Sequence, residues 1–290
     1  MPTPPADPRD LVTLNDAMTW LGLQPSNAAE QPIVQNLVTD VSLSVLSYTG
    51  RATLNSILPF NETYDGSGSQ RQYVKNSPIL SVLSLSINGR QQAPSTAFGV
   101  AGYLIDQDRK SISLRGGSSG SGSFSTTTLG GWGPFFQKGI QNVNVSYLAG
   151  YSLMPAEPYK IPATPFQITV INTASFVLDM GVTYAQSGIA LVPVTSPPAQ
   201  GQYSVSSAGV YTFSAADSGV QIVISYGYNG APGDLQVACK RIVALIYKRK
   251  PQEDLKSKMM TEGGTTNFRD WAWPPEVKTT IEKYKRRAIV

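Results

Sequence analysis

Histidine is absent from the 290-residue chain. Its absence excludes Ser-His-Asp and Cys-His catalytic groups, zinc sites that use histidine, and the commonest general base. The single cysteine, Cys239, forms neither an intrachain disulfide nor a metal-binding cysteine cluster, and its apolar neighbours predict a small core residue. We therefore expect a protein that is not an enzyme, that uses no metal or cofactor, and that is stabilised by packing or assembly.

Charged residues are scarce, at 14% of the chain against about 25% in an average globular protein. Serine, threonine, asparagine, glutamine and glycine replace them, and this mixture favours extended structure over long surface helices. The charge is also uneven, since residues 232–290 carry 13 of the 23 Lys and Arg residues but only 7 of the 19 acids. The basic character therefore belongs to the C-terminal segment.

Long apolar runs are missing as well, and none approaches the roughly 18 residues of a membrane span. The first ten residues contain four prolines and acidic side chains where a signal peptide needs a basic start and an apolar stretch. We expect a soluble chain with no targeting segment and no membrane partner.

Helices are predicted at both ends of the chain. Thr13 precedes Asp16 by three residues, as in a capping box, and apolar residues at helical spacing follow as far as Gly22. A second helix, with start signals at residues 27 and 30, ends at Gly50. A third begins at Asp234, and a basic helix ends the chain.

Residues 64–151 predict half-buried strands, because apolar and polar residues alternate there. One hairpin turns at Asn88-Gly89, and a second hairpin spans residues 103–114. A Gly/Ser-rich stretch of 25 residues follows, and a loop of that length is either functional or disordered. It carries four aromatic side chains that are candidates for contacts to a partner protein: Phe124, Trp132, Phe135 and Phe136.

Residues 152–230 predict an all-β module, because they alternate repeatedly and carry almost no charge. The module lies between two similar phrases, VSYLAGYS and ISYGYNGAP, as an insertion does when it leaves and re-enters a host domain at neighbouring points.

The segment after the third helix holds the candidate partner contacts. Trp271 and Trp273 lie two residues apart, so that in extended backbone both face one side and present two large anchors to a partner surface. The alternative is that they fold back onto their own domain. Four basic residues near the C-terminus could contact phosphates or an acidic protein, or simply be a solvated helix end: Lys283, Lys285, Arg286 and Arg287.

The order of these parts resembles the head-tail connector (adaptor) proteins of tailed bacteriophages. The resemblance lies in DLVTLNDAMTWLGL, SVLSYTGR, YVKNSPILSVLSLSING, NVNVSYLAGY and DLQVACKRIVALIYKRK. These phrases fall within residues 10–51, 72–90, 141–151 and 232–250, about one third of the chain. The order of the segments carries the resemblance more than any one motif does.

The resemblance implies an α+β protein with a small helical adaptor domain that has β-hairpin elements. The predicted domains are residues 1–151 with 231–251 for the adaptor, 152–230 for an inserted sandwich-like β domain, and 252–290 for an extended C-terminal arm. It further implies a structural virion protein of the neck, made in the host cytoplasm, with no catalytic site. Its expected partners are other copies in a dodecameric ring, the portal protein above, a tail-side neck or tail terminator or stopper protein below, and DNA passing non-specifically through the ring. The neck or tail protein is the partner that the resemblance implies for the four aromatic residues of the Gly/Ser-rich stretch.

A second hypothesis is a virion surface protein that binds carbohydrate or a host structure through the β module. This function requires an aromatic platform, for which Tyr184, Tyr203 and Tyr211 are the candidates.

Overall fold

The computed structural model describes residues 3–116, 134–195, 197–249, 257–259, 265–267 and 273–286. These residues form a mixed α+β structure of helices and antiparallel sheets. The chain divides into two compact units. The helical unit combines Met1–Asn55 with Gly230–Arg286, and the β unit is built on Ser56–Asn229.

The helical unit contains α1 (Leu14–Leu21), α2 (Gln31–Thr49), α3 (Gly233–Arg249) and α4 (Pro275–Glu282). The predicted capping signal at its start is confirmed, since Thr13 Oγ1 accepts a hydrogen bond from the Asp16 N–H at 3.2 Å. Gly22 and Gly50 end α1 and α2 with φ angles of 74° and 67°. These left-handed conformations favour glycine, so both predicted helix ends are confirmed.

The core of the helical unit forms where α2 packs on α3, with α1 and α4 each packed against both of them. Cys239 is buried there, as predicted. The buried side chains come from all four helices and include Met18, Val34, Val38, Val45, Leu235, Ile242, Val277 and Ile281. A short hairpin within the same unit consists of β15 (Ser257–Met259) and β16 (Thr265–Asn267).

The first part of the β unit contains two sheets. Their strands are β1 (Leu58–Gly66), β2 (Arg71–Tyr73), β3 (Ile79–Ile87), β4 (Arg90–Gln92), β5 (Gly102–Ile105), β6 (Ser111–Arg115) and β7 (Gly139–Ala149). One sheet has the order β1-β7-β3-β4 and the other β2-β6-β5. Side chains from both sheets share one hydrophobic cluster, which includes Tyr64, Leu85, Ile112 and Tyr147.

The second part of the β unit has a hydrophobic cluster of its own. Its strands are β8 (Leu153–Lys160), β9 (Gln167–Thr169), β10 (Phe176–Tyr184), β11 (Val192–Pro193), β12 (Gln202–Val205), β13 (Val210–Phe213) and β14 (Gln221–Tyr228). They form sheets of order β10-β14-β8 and β11-β12-β13-β9, and both contribute to the cluster. The boundary predicted at residue 151 falls between this cluster and the first.

Both predicted hairpins are present. Asn88 and Gly89 join β3 to β4 with φ angles of 52° and 75°, which is the backbone that an Asn-Gly turn supplies. The hairpin predicted over residues 103–114 is formed by β5 and β6.

The grouping of the elements differs from the predicted one in one respect. The strands of residues 58–149 belong to the β unit together with the inserted module, and not to the unit of the helices. The physical reason is that the helices bury their apolar faces on one another, while the first two sheets enclose their own cluster.

Candidate interaction surfaces

The C-terminal helix α4 packs into the helical unit. Val277, Ile281 and Tyr284 are buried, with 2%, 0% and 8% of their surfaces exposed. The prediction of an extended arm is therefore wrong for residues 273–286. These three side chains lie at the i, i+4 and i+7 positions of one helical face, so that a few apolar residues are enough to hold so short a segment on α2 and α3.

Trp273 belongs to the same packing. Its ring meets the ring of Tyr48 edge-on, with the centroids 5.2 Å apart. The Tyr48 hydroxyl donates to Glu282 Oε1 at 3.0 Å, and the Lys285 ammonium lies 5.1 Å from the centroid of the Tyr48 ring. The hydrogen bond to Glu282 raises the pKa of Tyr48 above its usual value. Trp273 thus folds back onto its own unit, which is the second of the two interpretations given above for this residue.

Polar contacts fix the end of α4 and the residues after it. Arg51 Nε donates to the Tyr284 carbonyl at 2.6 Å, and the Tyr284 hydroxyl donates to Asp234 Oδ1 at 2.5 Å. The backbone N–H of Arg286 donates to the Thr49 carbonyl at 2.8 Å. Residues 284–286 are therefore tied to the ends of both α2 and α3.

The packing of residues 273–286 leaves four of their cations exposed. The predicted contact residues Lys283, Lys285 and Arg286 are exposed, and Lys278 is exposed beside them. We call these four residues the basic surface. The same segment carries two exposed acids, Glu276 and Glu282, so that cations outnumber acids there by four to two. Such a surface suits carboxylates or phosphates of a partner. The predicted contacts Trp271 and Arg287 lie outside the described residues.

Of the four aromatic residues in the Gly/Ser-rich stretch, the structure describes Phe135 and Phe136, which lie in different environments. Phe124 and Trp132 lie outside the described residues. Phe135 is 48% exposed, whereas Phe136 is completely buried in the first hydrophobic cluster of the β unit. The prediction that Phe136 contacts neck or tail proteins is therefore wrong. Its backbone pairs with residues 68 and 69, and this places its side chain in the core and that of its neighbour outside.

The tyrosines of the second hypothesis do not form a surface platform. Tyr203 and Tyr211 are buried, and their hydroxyls donate to the two oxygens of Asp179 at 2.5 and 2.9 Å. Burial first, and the Asp179 carboxylate second, raise the pKa of Tyr203. The Tyr184 hydroxyl donates to the buried Asp217 at 2.8 Å. The rings of Tyr203 and Tyr211 stack on each other inside the core, so they are not available to a sugar, and Tyr184 alone does not make a platform.

Sequence reasoning missed Phe98 and Ile140, which at 95% and 86% are the most exposed large apolar side chains among the described residues of the β unit. Neither lies in a motif, and isolated apolar residues give no sequence signal for exposure.

Within the described residues, no three His, Cys, Asp or Glu side chains are grouped so that they could hold a metal ion. The helices in this part of the chain are all too short or too polar to cross a membrane.

No family model matches the chain, and no curated protein matches it. Among solved structures, the chain is similar to one from the neck of an empty GTA (gene transfer agent) particle computed with C6 symmetry. The two chains are 12% identical, the match covers 99% of this chain and 96% of that one, and the TM-score is 0.35.

Proposed function

We propose that the chain is a structural protein of a virion neck, a head-tail adaptor. Twelve copies form a ring beneath the portal, join the capsid to the tail, and surround the channel through which DNA passes without sequence-specific contacts. The chain acts as a scaffold and catalyses no reaction.

The observation that carries this proposal is how the resembling segments come together. Residues 10–51 and 232–250 form α1, α2 and α3, which pack on one another although about 180 residues separate them in the chain. Residues 72–90 contain β3, and residues 141–151 contain most of β7, its neighbour in one sheet. The segments that resemble adaptor proteins are thus the framework of both units and not scattered surface motifs.

Composition supports assembly as well. The chain has only 14% charged residues, and the cores of subunit interfaces are depleted of charge. Contacts between unlike patches of identical subunits close into a ring when the rotation between neighbours is a whole fraction of a turn.

Within this function, we assign the portal contact to the basic surface. Its cations are exposed, while Trp273 is already packed on Tyr48 and so has less surface to offer. Charged surfaces of this kind steer association with an oppositely charged protein.

The direct test of the function is electron microscopy of virions that contain this chain. The expected result is a twelvefold ring of the chain between portal and tail. A position outside the neck, or a sixfold or threefold arrangement of single chains, would contradict the proposal.

The portal contact has its own test, which is co-sedimentation with portal rings. Lys278→Glu with Lys283→Glu is expected to weaken binding about tenfold or more, because like charges would then face each other across the interface. The matched control is Arg90→Glu with Lys160→Glu, which reverses two exposed cations of the β unit and should leave binding unchanged. Equal binding by both double variants would remove the basic surface from the interface.

A further inference from the structure

Two apolar side chains of the β unit, Phe98 and Ile140, are held in solvent by polar contacts of the backbone around them. Exposed apolar residues are common on protein surfaces and need no explanation by themselves. What distinguishes these two is that the surrounding chain is fixed in the conformation that exposes them.

Phe98 lies in the loop between β4 and β5. Ser95 Oγ donates to the Val100 carbonyl at 2.7 Å, and Arg115 Nη1 donates to the Ala97 carbonyl at 3.3 Å. The Arg115 guanidinium carbon is 5.9 Å from the centroid of the Phe98 ring. The described part of the chain contains two ion pairs, Arg9 with Asp7 and Arg71 with Asp106. Neither includes Arg115, so no ion pair there neutralises its charge. The loop presents an aromatic ring beside a cation, and these are the residue types that dominate binding energy at interfaces.

Ile140 lies in a bulge of β7, where residues 140–142 are opposite the single residue Asp65 of β1. Gln141 has a φ angle of 51°, a left-handed conformation that is unfavourable for a residue with a side chain. The Gln141 N–H donates to Asp65 Oδ1 at 2.6 Å and so fixes this conformation. A bulge changes the direction in which side chains point. Here Ile140 points into solvent, next to the residue that bonds the Asp65 carboxylate.

We infer that these two places are the two halves of one contact between copies of the chain. The first patch, Phe98 with Arg115, docks on the second patch, Ile140 with Asp65, of the next copy. This inference rests on the proposed function, because it names the contact through which the ring would close.

The chemistry of the patches selects a second copy as the occupant. Each has one strongly exposed apolar side chain and one charge that no described ion pair neutralises, and the charges are opposite. Lys138, the cation nearest to Ile140 in sequence, has its side chain along Gly68. Because the patches differ from each other, their contact is head-to-tail. An open chain of copies then has one free patch at each end, and these two patches meet when the chain closes into a ring.

The experiment measures self-association of the full chain by sedimentation equilibrium over a dilution series, with negative-stain microscopy of the largest species. Wild type is expected to form oligomers larger than dimers as the concentration rises. Phe98→Asp and Ile140→Asp are each expected to weaken association about tenfold or more, because each places a charge in an apolar contact. The control is Ile171→Asp, which alters another exposed isoleucine of the β unit (77% exposed) and should associate like wild type.

A mixture of the two variants makes the test specific for a head-to-tail contact. Each variant keeps one intact patch, so an equimolar mixture of Phe98→Asp and Ile140→Asp should form a dimer and nothing larger. Phe98→Ala and Ile140→Ala repeat the comparison without an added charge, and circular dichroism verifies that every variant is folded.

The inference is overturned if wild type stays monomeric at every concentration, if both Asp variants associate like wild type, or if the Ile171 variant is equally impaired. A virion reconstruction with a ring of this chain would leave the proposed function standing in each of these cases. Conversely, head-to-tail oligomers of a chain that lies outside the neck would support the contact and contradict the function.

Discussion

Replacement of Ile281 by alanine tests whether α4 is part of the helical unit. An isolated helix of eight residues is not stable in water, so the order of α4 depends on what its apolar face covers. Ile281 is completely buried in that face. Ile281→Ala removes three carbon atoms, worth about 2–3 kcal/mol at roughly 0.8 kcal/mol each, and the cavity left behind extends the cost to about 2–5 kcal/mol.

The measurement is hydrogen-deuterium exchange of peptides that cover residues 273–286, in the full chain. A loss of 2 kcal/mol corresponds to roughly thirtyfold faster exchange of the amides that α4 protects. The matched control is Thr279→Ala, because Thr279 is exposed and its hydroxyl contacts only the carbonyl of Pro275 in its own helix. The reasoning is refuted if the two variants exchange at the same rate, since that result would mean that the buried face of α4 contributes nothing to its order.

Three further predictions concern single sites. Cys239 is buried, and burial raises the pKa of its thiol to about 12, so thiol reagents at pH 8 should modify it only after unfolding; rapid reaction of the native chain would contradict its burial. Burial first, and the charge of Asp179 second, raise the pKa of Tyr211 above the value of about 10 in an unfolded chain. Its contribution to stability is therefore complete below pH 10 and is lost as the pH rises further, and Tyr211→Phe should make urea unfolding less dependent on pH above 10; an unchanged dependence would refute the assignment. Gly66→Ala should destabilise the β unit by roughly 1–3 kcal/mol in urea unfolding, because the new Cβ would lie 1.7 Å from the carbonyl oxygen of Gln137; wild-type stability would show that the bulge relaxes freely.

The sequence by itself determined the elements whose ends depend on local hydrogen bonds. Thr13 caps α1 through a neighbour three residues away, and Gly22 and Gly50 end helices with the left-handed backbone that glycine permits. The Asn88-Gly89 turn likewise sets the register of its hairpin from two residues. Each of these features is decided within a few positions of the chain, so a local pattern is enough to predict it.

Only the tertiary structure decided which surfaces are covered and which remain exposed. Trp273 lies against Tyr48, more than 200 positions earlier in the chain, and this contact decided between a partner anchor and packing on its own unit, which the sequence had left open. Phe135 and Phe136 have the same side chain and adjacent positions, yet only the second is buried. Phe98 is left in solvent by contacts that its loop makes with Arg115. Burial depends on residues that are distant in sequence, and a period or a motif does not contain that information.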